Sequence, residues 1–78
     1  MISPAQIRAA RSLLGWKQSE LAKAADLSLT ALNNIERGAA DPRVSTLAGI
    51  QKALEAAGIV FIAENGGGPG VRLRDRQG

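Results

Sequence analysis

The stretch from Gln18 to Gly38 constrains this chain more than any other. Leu21, Ala22 and Ala25 fall at the spacing of one helical face, Asp26 and Leu27 interrupt it, and Leu32 with Ile35 opens a second stripe after an N-cap at Ser28. The pattern is that of two short helices joined by a tight turn. Ala22 has to be small, because helices that cross steeply over a short turn approach closely and a Leu would hold them apart. Asp26 occupies the turn position that calls for positive φ, which Asp tolerates better than most residues but less well than Gly. Leu27 and Leu32 are spaced as a hydrophobic staple around the Ser28 cap, fixing the direction in which the second helix leaves the turn.

The flanks supply what such a pair needs for a core. Ser3-Pro4-Ala5-Gln6 is a capping box, with Ser at the N-cap, Pro at the first helical position and Gln at N3, so a helix is predicted from Pro4 to Leu14. Ile2 and Ile7 complete its staple. Ile7, Ala10 and Leu14 line one face, Leu13 widens it, and Gly15 ends the helix in the left-handed conformation. Trp16, the only Trp, reads as a wedge at the corner of the first two helices. Lys17 stands where the second helix wants an acceptor, which leaves Glu20 at N3 to serve the exposed amides. Asp41-Pro42 marks a loop, and Ser45 is expected to cap a fourth helix with Leu47, Ile50 and Leu54 facing the core and Gly58 as its C-cap. Gly49, inside that helix, costs about 1 kcal/mol relative to Ala, which points to a close helix contact there.

Beyond Gly58 the period changes. Ile59 to Ala63 is a strand-like run, Asn65 to Gly70 is a loop, and Val71-Arg72-Leu73-Arg74 alternates as a half-buried strand does. A C-terminal β-hairpin is therefore expected, with Gln77 and Gly78 disordered. Ile59 and Phe61 point to one face of the first strand, Val60 and Ile62 to the other, and both faces are apolar. A hairpin lying on helices covers one face only, so the other face and the open edge call for a second copy of the chain. Ile59, Val60, Phe61 and Ile62 are accordingly expected at a dimer interface. The fold class is mainly α: four helices over residues 1–58, then a hairpin tail over 59–78 that acts as the dimerisation element.

Composition narrows the chemistry. A chain of 78 residues makes one domain with a small core. Neither Cys nor His is present, which removes thiol chemistry, the usual structural zinc site and imidazole catalysis. No catalytic residue, metal or cofactor is expected. Gly66 to Gly70 is followed by no Lys-Ser or Lys-Thr pair and opens no helix, so it reads as a flexible turn and not as a phosphate loop. The run Ile59 to Ala63 is too short to span a bilayer, and Met-Ile-Ser-Pro lacks the marks of a signal peptide, so a soluble cytoplasmic protein without a membrane partner is expected. The net charge of +3 permits nucleic-acid binding without requiring it.

The outward positions of the helix after the turn are Leu29, Thr30, Asn33 and Asn34, small or amide-bearing side chains that suit a major groove. An amide at Asn34 can donate to and accept from adenine, and Leu29 and Thr30 suit a thymine methyl. From Pro4 to about Ala57 the chain resembles the phage repressor and Cro type of helix-turn-helix protein, also called the XRE type. The resemblance is carried by Gln18, Glu20-Leu21-Ala22, Leu27-Ser28, Leu32 and Ile35-Glu36-Arg37-Gly38 ahead of a Pro-containing loop. It implies a four-helix repressor-like domain whose recognition helix runs from Ser28 to Arg37. Leu29, Thr30 and Asn34 would face base edges with Asn33 nearby, and Gln18 would reach the DNA backbone, where Lys17, Ser28 and Arg43 are expected as well. It also implies an ion pair between Arg11 and Glu36. Lys17 replaces the usual Ser, Thr or Asn cap, Asp26 replaces the usual turn Gly, and the hairpin stands in place of a fifth helix.

The function expected from these residues is sequence-specific regulation of transcription by a homodimer on a palindromic double-stranded operator. A competing reading is an antitoxin-like interaction module whose tail binds a partner protein.

Overall fold

The computed structural model describes residues 1–75. Gln77 and Gly78, expected to be disordered, lie outside the described residues. Four helices lead into one antiparallel hairpin: α1 (Pro4–Leu14), α2 (Gln18–Ala24), α3 (Leu29–Glu36), α4 (Val44–Ala56), β1 (Ile59–Ile62) and β2 (Gly70–Leu73).

Each helix starts and stops for local reasons. At α1, Ser3 Oγ accepts from Gln6 N at 3.2 Å and Gln6 Oε1 accepts from Ser3 N at 2.9 Å, while Gly15 closes the helix at φ 69°. At α2, Lys17 gives no side-chain cap; Glu20 Oε1 accepts from the Lys17 amide at 2.9 Å instead. Ser28 Oγ accepts from Ala31 N at 3.0 Å and starts α3. The fourth helix departs from expectation, since its backbone turns helical at Val44 with Arg43 as a bare N-cap. Ser45 is thus inside the first turn, past the position from which a hydroxyl could cap. Past its other end, Gly58 takes φ 108°, one residue beyond the Ala57 cap.

Ile7, Leu21, Leu32, Ile50, Leu54 and Ile59 are fully buried in one cluster that draws on every helix and on the hairpin. Each contributes about 1.5–3 kcal/mol by leaving water. Leu13 does not join them. It is 45% exposed, because it lies off the line on which Ile7, Ala10 and Leu14 stack and points outward at the last turn. Gly49 also departs from expectation: a Cβ built there would meet no atom within 4 Å. No helix approaches closely, and the glycine serves no packing need.

The hairpin pairs Ile59 with Leu73 and Phe61 with Val71 on the face turned to α1 and α4, and Val60 with Arg72 and Ile62 with Gly70 on the face turned away. Gln6 fixes it from below. This glutamine is only 6% exposed, and while its Oε1 completes the α1 cap, its Nε2 donates to Ile62 O at 3.3 Å and to Gly70 O at 3.0 Å. The glycine loop between the strands is held, not loose. Glu64 Oε1 accepts from the amides of Gly66 at 2.8 Å and Gly68 at 2.9 Å, and those glycines supply the positive φ values, 98° and 90°, that the wrap demands. Among the described residues no helix is long and apolar enough to cross a membrane, and no group of His, Cys, Asp and Glu could hold a metal ion.

Candidate nucleic-acid interface

The turn between α2 and α3 sets which face of α3 looks outward. Asp26 takes φ 57°, the one non-glycine with positive φ among the described residues. Its neighbour Leu27 donates to Ala22 O at 2.8 Å, and Asp26 itself donates to Lys23 O at 3.2 Å, so the carbonyls that end α2 are satisfied by the turn. Ala22, 3% exposed, leaves room for the two helices to approach. The result buries Leu32, Ile35 and Glu36 and leaves Thr30 and Asn33 exposed, Asn34 half-buried and Leu29 51% exposed.

Burying Glu36 requires compensation, which α1 supplies. Arg11 Nε donates to Glu36 Oε2 and Arg11 Nη2 to Glu36 Oε1, both at 2.9 Å, a two-pronged pair in which the Glu36 side chain is only 3% exposed. The third Arg11 prong, Nη1, reaches Trp16 O at 3.0 Å, which holds the corner between α1 and α2. Arg8 Nη1 donates to the backbone carbonyl of Glu36 at the C-terminal end of α3. Both α1 arginines therefore clamp the same end of the same helix.

Gln18 is built into this network. Its Nε2 donates to Glu36 Oε1 at 3.2 Å and its Oε1 accepts from Asn33 Nδ2 at 3.4 Å. On the other side of Asn33, Arg37 donates from Nε at 3.3 Å and Nη2 at 3.0 Å to Asn34 Oδ1. Lys17 and Ser28 lie exposed at the starts of α2 and α3, and Arg43 lies exposed at the start of α4 with no side-chain cap bond. Arg8, Arg11, Gln18, Asn33, Glu36 and Arg37 line one shallow depression beside α3.

Two of these contacts have signals in the chain that the spacing argument passes over. Asn34 and Arg37 are three apart on one helix, a spacing at which side chains meet. Arg8, three before Arg11, shares its side of α1 in the same way. By contrast, nothing local ties Gln18 to Glu36, because their meeting depends on how α2 and α3 cross.

No curated protein matches the chain. A family model described as helix-turn-helix, HTH_3, matches residues 7–57, from inside α1 to the cap of α4. That span holds the turn at Asp26, the clamp on Glu36 and the open face of α3, and it makes this chain a member of the HTH_3 helix-turn-helix family, of the XRE type, whose members are DNA-binding proteins of the transcription-regulator kind.

Proposed function

We propose that the protein is a sequence-specific transcriptional regulator that binds a palindromic double-stranded operator as a homodimer. The observation that carries this reading is the contrast between the two sides of α3. Its rear is buried and clamped by two arginines, while Leu29, Thr30, Asn33 and Asn34 stand free of the core. A helix held rigidly from behind, with two amides and two methyl-bearing side chains in front, suits the donor, acceptor and methyl code of the major groove. Lys17, Gln18, Ser28 and Arg43 flank it and serve the phosphates, fixing register without reading sequence.

The dimensions support a dimer. One α3 covers only a few base pairs, and half-sites of a two-fold operator lie about 34 Å apart. The described residues have a longest extent of 32 Å, and one copy carries a single α3, so it cannot present a helix at both. The hairpin offers the means. Ile59 is 2% exposed and Phe61 packs on the core of its own chain, so the contact with a second copy falls to Val60 and Ile62 on the outward face and to the strand edge. Pairing there covers apolar surface and an open edge together.

Selection of bound sequences from a random DNA pool tests the reading. Enrichment of a palindrome with half-sites one helical turn apart supports it, and a pool that stays random refutes it. Light scattering of Ile62→Lys tests the interface: the parent is expected to be a dimer at about tens of micromolar and the variant a monomer with intact helical circular dichroism. A variant that stays dimeric removes the hairpin from the interface.

A further inference from the structure

The outward face of α3 is hydrogen-bonded from behind, and the donor and acceptor roles follow along the bonds. Arg11 carries donors only, and the Glu36 carboxylate accepts only. With both Glu36 oxygens serving Arg11, the Gln18 group 3.2 Å from Glu36 Oε1 has to be its NH2. The Gln18 carbonyl is thereby aimed the other way, 3.4 Å from Asn33, whose facing group must be NH2 in turn. Asn33 keeps its Oδ1 and one N–H free. At the next position the sense is reversed. Arg37 has no acceptor, so the Asn34 atom it grips at 3.3 and 3.0 Å is Oδ1, and two bonds occupy both lone pairs of that oxygen. Asn34 keeps only its N–H groups.

We infer that these adjacent amides read different bases: Asn33 reads adenine, and Asn34, oriented by Arg37, reads guanine. The inference rests on α3 lying in the major groove as proposed above. Adenine shows an N6–H donor beside the N7 acceptor and asks for an amide that accepts and donates at once. Asn33 has both groups free, and Asn34 does not. Guanine shows two acceptors there, O6 and N7, and no donor, which suits an amide that has only its NH2 free. Gln18 and Arg37 are positioning residues in this scheme, each fixing which way an amide is turned.

The test is parallel selection from a random DNA pool with the full chain and its Asn33→Ala, Asn34→Ala, Arg37→Ala and Gln18→Met variants. The parent is expected to prefer adenine at a position that Asn33→Ala relaxes and guanine at another that Asn34→Ala relaxes, each by about 5- to 150-fold. Arg37→Ala releases Asn34 Oδ1 and turns the guanine position to adenine. Gln18→Met, which also gives up a phosphate contact, weakens binding to all sequences but changes base preference only at the adenine position, which it flattens. Adenine in the parent at the position that follows Asn34 overturns the assignment, as does an Arg37→Ala variant that keeps or merely flattens the guanine preference; DNA binding survives both results. A parent that enriches no sequence overturns the placement of α3 and the base assignment with it.

Discussion

Replacing Arg11 with Met isolates what the clamp on α3 contributes. The substitution keeps an unbranched apolar stem and removes three donors, two to Glu36 at 2.9 Å and one to Trp16 O at 3.0 Å. Glu36, with its side chain 3% exposed, is then left with a single neutral partner, Gln18 Nε2. Breaking a fully buried pair in this way costs about 3–5 kcal/mol, because the remaining charge loses its paired partner. Arg11 itself is 23% exposed, so water reaches the vacated space and about 3 kcal/mol is the expected loss. A domain of 78 residues has about 4–12 kcal/mol in total at the usual stability per residue. The single substitution therefore removes between a quarter and three quarters of it. Urea unfolding followed by Trp16 fluorescence measures this directly, since the only Trp packs against the core beside the clamp. At a slope near 1 kcal/mol per molar the midpoint falls by about 3 M. The double variant Arg11→Met with Glu36→Met is expected to recover to within about 1 kcal/mol of the parent, because no buried charge remains. Its DNA selection should nevertheless be less discriminating, since Gln18 and Asn33 lose the anchor that turns them. A single variant that loses less than about 1 kcal/mol, or a double variant no more stable than the single, would refute the argument.

Gly49→Ala is expected to stabilise the protein by about 1 kcal/mol, raising Tm by about 4–8 °C in calorimetry, because the site has helical backbone and open space around it; a lower Tm would reveal a neighbour there. Gln6→Leu removes three hydrogen bonds at a cost of about 2–3 kcal/mol. Hydrogen exchange should then quicken in β1 and β2 before α2 and α3, and a uniform change would deny Gln6 its role as the hairpin anchor. Arg43→Ala should weaken binding to all DNA sequences alike and reduce the salt slope by about 1; an unchanged slope would place Arg43 away from phosphate.

Much of this architecture can be read from the chain because its determinants are local. Ser3, Pro4 and Gln6 mark a helix start within four residues, while Gly15 and Gly58, each after a helical run, and Asp26, in the turn, mark positive-φ positions by residue type and place together. What is hidden depends on distance. Gln6 satisfies the capping box and gives no sign that its other atoms serve carbonyls at Ile62 and Gly70, because the partners are backbone atoms without a sequence signature. Ser45 is a better cap by residue type than Arg43, yet the chain leaving Pro42 becomes helical two residues earlier than that preference asks. Gly49 shows that a costly residue need not be explained by packing. In the interface, exposure on α3 follows from periodicity, whereas the turning of its amides does not. That depends on Glu36 lying within reach of α1 and α2 together, a property of the folded whole.

The reach of Gln6 sets a schedule for the newborn chain. Its partners lie 56 and 64 positions downstream, and ribosomes add about 5–20 residues per second, so about 3–11 s pass before Ile62 is even made. Through that interval α1 can already meet α3 through Arg11 and Glu36, but the surface that packs on β2 stays open. The first helix made is thus not fully covered until the last strand is.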